Sequence, residues 1–436
     1  MPTYTIPKQE LIFLNNTDGK NVKKYTSKED ENHRIIRYIK DKLETYEDLC
    51  MYGKYRSVIA DKDNYVVSFS PPKSLNMDIF MEKNDFNDIM VEELIEGTMI
   101  NLFYDNFKKE WNIATRSNIG ANNKFVQEEE IATFRVMFLE ACNEIGLDFE
   151  KLPKKSDNEN SSYNYSFVMQ HPKNRIVSRT KDNKCLIYIV EMYEMVKKEL
   201  STEIYYVDKN KYIDLFSKLG ISIPSELILE NGINDYDKLI HMSKGEFKSS
   251  WSEKDYICFG GFVVKNKKTN ERTKIRDEHY EYIRKLRGNQ IKPKYHYLTL
   301  RKQKKIQEYL NFYPEDKNKY DVYRQEISDY NYNLWQSYIG CYIKKEKPVK
   351  QWPHKFRVHM FKIHEEFKEN REVITLNKVY IYFNKLHESQ QMYLLNYKDE
   401  SEKTNDHNEK TISQVIDSTI EKVFENSKNL NQTLTE

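Results

Sequence analysis

Apolar positions at Ile35, Ile36, Ile39, Leu43, Tyr46 and Leu49, set on a polar background, predict a helix over residues 30 to 50. Beyond it the apolar period shortens to two. YRSVIAD and YVVSFS, parted by the turn residues 61 to 64, read as strands; TMINLFYD and WNIATRS, parted by residues 106 to 110, read as a hairpin. A helix is expected from about Glu128 to Gly146, with Ile131, Phe134, Met137, Phe138 and Ala141 on one face and Gly146 as its stop. Residues 152 to 164 are polar without period and predict a loop. YSFVMQHP, NRIVSR and KCLIYIVEMYEM return to strand character, residues 208 to 250 read as helix and loop, and ICFGGFVVKN and TKIRDEHYEYIR close the segment.

From about residue 285 the pattern is helical, in KIQEYLNFY, YRQEISDYNYNLWQSYIGCYI, FRVHMFKIHEEFKE and ITLNKVYIYFNKLH. The chain is therefore expected to hold an α+β domain over 1–284 and a helical C-terminal domain over 285–397. Residues 398–436 predict a polar linker and a terminal amphipathic helix bearing Ile412, Val415, Ile416, Ile420, Val423 and Phe424, a face suited to docking or core packing. No internal repeat is present.

A chain of 436 residues with 39% hydrophobic and 32% charged residues is of the soluble globular class, and no apolar run reaches the roughly 20 residues of a membrane helix. MPTYTIPKQE lacks an apolar signal core. The five cysteines lie far apart without CxxC spacing, which predicts a reducing compartment, a cytoplasmic location, and neither disulfides nor a zinc site. His354, His359 and His364 are spaced five apart and spread around a helix. Net charge is only +2, so charge matters locally. Residues 284 to 305 hold nine Lys or Arg and no acid, interleaved with Tyr295, His296 and Tyr297. Arg284, Lys285, Arg287, Lys292, Lys294, Arg301 and Lys302 are the candidate contacts to RNA phosphates. The plainer reading is a solvated helix face, and the Lys-, Asn-, Ile- and Tyr-rich composition of an AT-rich genome inflates such patches.

Several short motifs follow one another in order: KYRSVIADKDNYVVSFSPPKSLN with Arg56 and Lys73; Leu94-Ile95-Glu96-Gly97; ATRSN with Arg116; YSFVMQHPKNRIV; GGFVV; and Lys274-Ile275-Arg276 before Tyr280. This series, over roughly residues 50 to 285, resembles the adenylation domain of phage-type RNA ligases, relatives of DNA ligases and mRNA capping enzymes. It is also similar to RNA-ligase-like proteins of large DNA viruses, which share the EGTMIN and QHPKNRIV wording. The resemblance implies a two-layer antiparallel-sheet nucleotidyltransferase domain, with nucleotide contacts from Arg56, Lys73, Glu96, Arg116, Lys274 and Arg276.

Three positions depart from the family. Leu94 stands where the nucleophilic lysine belongs, Ser166 where a glutamate belongs, and Gly260 where an acid belongs. A leucine has no lone pair with which to attack an α-phosphate, and phosphoryl transfer depends on metal ions held by carboxylates. Loss of these groups beside retained cations implies a degenerate, RNA- or nucleotide-binding protein. One alternative is an active ATP- and Mg-dependent RNA ligase whose nucleophile has moved to Lys83 or Lys73. Another is a viral structural or assembly protein, in the virion or host cytoplasm, that reuses the fold and docks partners through its helical domain or terminal helix. Each residue also has a structural reading: Glu96-Gly97 as a strand-entry turn, Arg116 in a surface ion pair, Arg175 as a helix cap, Lys73 as a loop lysine behind Pro71-Pro72.

Overall fold

The computed structural model describes residues 2–16, 20–26, 30–106, 108–125, 132–229, 235–245, 259–370 and 372–397. Its strands are β1 (Tyr4–Pro7), β2 (Val22–Thr26), β3 (His33–Tyr38), β4 (Val58–Asp61), β5 (Val66–Phe69), β6 (Ile89–Glu93), β7 (Thr98–Asp105), β8 (Glu110–Ala114), β9 (Ser161–Gln170), β10 (Leu186–Lys197), β11 (Ser201–Val207), β12 (Glu226–Leu227), β13 (Gly261–Asn266) and β14 (Arg272–Arg276). They form a six-stranded sheet in the order β1-β11-β10-β9-β7-β8, and two four-stranded sheets, β12-β6-β13-β14 and β2-β3-β4-β5. Neighbouring strands in all three run antiparallel. The α+β class expected from the sequence is the one the chain adopts. Two units divide at Ile291 and Lys292, the sheets lying in the first and a helical array in the second. The division expected after residue 284 falls inside the helix Glu278–Arg287.

The six-stranded sheet buries one face against the helix Phe134–Ile145. Phe138, Met137 and Ala141 pack there with Ile100, Leu102, Tyr165, Phe167 and Ile187. Each large side chain withdrawn from water in this layer contributes about 1.5–3 kcal/mol. Thr133 caps the helix by accepting from the Val136 amide, and Gly146 ends it in the left-handed region at φ 75°. Residues 128 to 131, the expected start of this element, lie outside the described residues.

Three expectations are overturned. Residues 33–38 form β3, and only Tyr46–Tyr52 is α-helical. The run HRIIRY is β-branched and pairs on both sides, with β2 and β4, so Ile35 and Ile36 serve cores on opposite faces. A two-sided strand spaces its apolar residues like a helix. NRIV is a 3-10 turn and bends, because the Val177 and Ser178 amides donate to the Glu96 carboxylate instead of to a strand. The polar run 152 to 164 is loop only to its last residues, since β9 begins at Ser161.

A β-bulge positions a key residue. Ile189 pairs with Phe167, yet Glu191 pairs with Ser166, leaving Val190 as the extra residue. The slip moves Glu191 from the helix-covered face of the sheet to the opposite one.

The second unit packs the helices Pro293–Lys302, Ile306–Phe312, Lys317–Tyr338, His354–Asn370, Leu376–Lys385 and Glu388–Leu395. Aromatic side chains fill it: Tyr309 stacks on Tyr313 and Tyr320 at 4.7 and 5.3 Å, and Tyr330 meets Phe356 and Phe383. The expected linker and terminal helix over 398–436 lie outside the described residues. No helix among the described residues is long and apolar enough to cross a membrane.

Candidate functional site

The β6-β13-β14 sheet turns one face, made of Ile89, Val91, Phe262, Val264 and Ile275, into a core with Phe80 and Leu239. Strand alternation puts Glu92, Val263, Lys265, Arg272, Lys274 and Arg276 on its other face. That face meets the Ser166 side of the six-stranded sheet: Glu191 of β10 lies 2.7 Å from the Lys265 ammonium and 3.1 Å from the Arg272 guanidinium. Glu92 takes the Lys265 ammonium at 2.6 Å and the fully buried Lys209. Burial would raise the Glu92 carboxyl, but Lys265 and Lys209 outweigh it and hold the group below the usual carboxylate range.

Beside the position of Ser166 the interface between the two sheets thus holds two buried carboxylates, Glu92 and Glu191, neither of them among the motif residues. Glu191 carried a signal of its own, as an acid flanked by apolar residues inside a strand, which requires a buried partner. These carboxylates do not suit a divalent metal. Each is occupied by cationic side chains, and no group of three His, Cys, Asp or Glu among the described residues is arranged to hold an ion.

The predicted cations divide into paired and unpaired. Arg284 grips Glu281 with two nitrogens, at 2.8 and 2.6 Å, and Arg276 lies 3.7 Å from the same carboxylate. Arg56 and Lys274 make no side-chain hydrogen bond or ion pair with a described residue. Burial lowers the Arg56 guanidinium to about 10, with Arg272 and Arg116 adding to the effect, and Arg56 stays charged at neutral pH. Burial pushes the Lys274 ammonium well below the usual lysine range, and Arg56, Arg272, Arg276 and Arg284 push it the same way. Burial also lowers Arg116 and Lys73. The Arg116 guanidinium lies 5.0 Å from the Tyr38 ring, and its Nε is buried without a hydrogen-bond partner. Such a set stores like-charge repulsion that an anion would relieve.

Lys274 and Arg276 open into a cavity of about 240 Å³. Leu94, Gly97, Phe125, Phe134 and Ile176 give it an apolar wall, and Arg284 and Arg287 share the charged side. The Arg287 guanidinium rests 4.5 Å from the Phe125 ring. Leu94 donates its backbone N–H to Gly261 at 2.9 Å and offers the cavity only its hydrocarbon.

Glu96 borders the same cavity, but one carboxylate oxygen is taken by the Val177 and Ser178 amides at 2.9 and 3.0 Å. Burial raises the carboxyl above the usual range, those amides and Tyr280 opposing it. Its strongest tie is to the NRIV turn. Gly97, at φ 147°, passes so close to Met169 that a Cβ would sit 2.4 Å from the carbonyl oxygen. A Cβ on Gly260 would sit 2.8 Å from the Leu94 carbonyl oxygen, so the backbone leaves no room for a side chain where the resemblance led us to expect an acid. Ser166 is buried and donates to Asn101, which in turn donates to Ser70 at 2.6 Å. A hydrogen-bonded polar seam stands where the sequence resemblance led us to expect a carboxylate.

The basic run 284 to 305 is not one surface. His296 and Tyr297 are buried in the helical unit, His296 meeting Tyr320 at 3.1 Å. Lys294 pairs with Glu326 and Lys302 with Glu388, burial lowers the Arg301 guanidinium, and Lys285 and Lys292 are exposed.

The arrangement is a buried, cation-rich site beside a small cavity, in an α+β protein with a helical C-terminal unit. No family model and no curated relative matches the chain. Solved structures with a weak likeness to the chain include ligases. An archaeal ATP-dependent RNA ligase is 11% identical with a TM-score of 0.40, over 67% of this chain and 65% of that one. A putative ATP-dependent DNA ligase from Aquifex aeolicus is 10% identical with a TM-score of 0.36, over 89% and 77%. A Naegleria gruberi RNA ligase variant with ATP and Mn is 11% identical with a TM-score of 0.35; it covers 50% of this chain, which spans only 58% of that ligase.

Proposed function

We propose that this chain is an RNA-ligase-like protein that holds the phosphates of a nucleotide or an RNA end in the cleft without forming a covalent intermediate. The observation that carries the reading is the unpaired pair Arg56 and Lys274, which point to an anion, beside a Leu94 that has no amine to offer it. The occupied carboxylates Glu92 and Glu191 favour binding over metal-assisted transfer.

The test is incubation with α-labelled ATP or GTP and a divalent cation, followed by a denaturing gel and, in parallel, by equilibrium binding. Reversible binding that weakens at least tenfold in Lys274→Met, without a band that survives denaturation, is the expected outcome. A surviving band would overturn the non-covalent reading.

One observation supports a second reading. A lysine needs to be neutral to attack phosphorus, and Lys274 is the amine that its surroundings drive furthest in that direction. In this version Nζ forms a bond to the α-phosphorus, the bond to the β-phosphate oxygen breaks, and pyrophosphate leaves with the electron pair while the amine loses its proton to solvent. The relocated nucleophile is then Lys274 and not Lys83, whose ammonium lies 4.2 Å from the Tyr46 ring, or Lys73, which reaches the Ser74 carbonyl at 3.4 Å. A band lost in Lys274→Met but kept in Lys83→Met would establish it.

A further inference from the structure

The helical unit holds a second constellation, unconnected with the motifs above. The long helix Lys317–Tyr338 ends in a π-helical turn, Ile339–Ile343, a geometry rare enough to mark functional sites. Gly340 lies in that turn against the indole of Trp352. A Cβ there would come within 2.5 Å of a ring carbon, so only glycine leaves the slot the ring fills. Trp352 donates its Nε1–H to the Lys347 carbonyl at 3.2 Å, and its own carbonyl accepts from Arg357 Nε at 2.7 Å. The ring is therefore held from the Gly340 slot, from its polar edge and from its backbone.

Beside this fixed ring is a cavity of about 520 Å³, also lined by Asn333, Gln336, Ser337, Lys344, Lys347 and Lys355. The Lys347 ammonium sits 4.2 Å from the Trp352 ring centroid. Three lysines face one acid, Glu346, which lies 3.6 Å from Lys344. An aromatic plane, ammonium groups, two amides and a hydroxyl are what a nucleotide requires: a face to stack on, cations for phosphate, and donors and acceptors for base edges. An acidic peptide would use the lysines but leave the immobilised indole plane without a role.

We propose that this pocket binds one nucleotide of a single-stranded polynucleotide, its base stacked on Trp352 and its phosphates met by Lys344, Lys347 and Lys355. The incoming base takes the place of the exposed Lys347 ammonium over the ring, and that ammonium swings to phosphate. The proposal does not rest on the reading of the cleft.

The test uses the full chain and tryptophan fluorescence, titrated with oligouridylate and with oligothymidylate in separate arms that distinguish RNA from DNA. The chain has four tryptophans, so each titration is repeated in Trp352→Phe. At least one oligomer is expected to quench the wild type, and the quench is expected to vanish in Trp352→Phe. Trp352→Ala should weaken binding about 5- to 150-fold, the range of one base–aromatic stack. Lys347→Gln and Lys355→Gln, which leave the ring and its slot intact, should each weaken binding and flatten its salt dependence. Quenching should persist in the cleft variant Lys274→Met, which separates failure here from failure there. The proposal is overturned if neither oligomer quenches, if affinity is unchanged in Trp352→Ala and Lys347→Gln, or if polyglutamate quenches equally and competes with the oligomers.

Discussion

At the scale of single residues, the side chain of Leu94 is less informative than the backbone around it. Leu94 could be exchanged for lysine by one substitution, but Gly260 could not regain an acid as easily, because a Cβ there meets the Leu94 carbonyl oxygen at 2.8 Å. Gly260→Ala should therefore cost stability, about 1–3 kcal/mol, where an exposed glycine-to-alanine change is neutral or mildly stabilising. Denaturant unfolding measures it, and an unchanged midpoint would show that the two strand ends have room to part. Leu94, Glu96 and the unpaired cations were legible in the sequence, because they sit in motifs with fixed spacing. Glu191 could not be placed from the period of its strand, because a one-residue bulge decides which face it occupies.

Among elements, the inner face of the β6-β13-β14 sheet is fastened to the six-stranded sheet by ion pairs rather than by apolar packing. Lys265 serves two carboxylates, Glu92 at 2.6 Å and Glu191 at 2.7 Å. Lys265→Met would leave two buried carboxylates short of their shared ammonium and is expected to destabilise the first unit by about 3–5 kcal/mol. Adding Glu191→Gln should return part of that loss, and a denaturant series on the single and double variants reads both. Glu92 has its carboxyl held below the usual range. Its contribution is present above the ordinary glutamate pKa and is lost as pH falls through the lowered folded value. The strands themselves were partly legible from period-two patterning. β3 was not, because a strand buried on both faces loses the alternation that marks one-sided burial.

For the whole molecule, a net charge of +2 says almost nothing about affinity for polyanions, because nearly every charge has a counterpart. What counts is the small number of cations without one. If the cleft engages phosphates through Arg56, Arg116 and Lys274, the logarithm of affinity for a single-stranded end should fall against the logarithm of salt with a slope near −2, roughly 0.7 for each of three contacts. A basic surface spanning residues 284 to 305 would give a much steeper slope. Affinity should also decline as pH rises, earlier than for an ordinary lysine, because Lys274 gives up its proton at lower pH. Binding isotherms at several salt concentrations and pH values decide both points.

The sequence by itself determined the α+β class, the helical pattern of the C-terminal unit and the absence of an amine at position 94, since local patterning and residue chemistry are properties of the chain alone. Only the tertiary structure decided which charges matter. Lys209 occupies Glu92, Lys265 and Arg272 occupy Glu191, and Trp352 becomes a fixed platform by entering a slot that Gly340 leaves open. The physical reason is common to all three. The free energy of a charge or a ring depends on what lies within a few ångströms of it, and those neighbours are distant in sequence or are brought close by a turn that the sequence pattern did not mark.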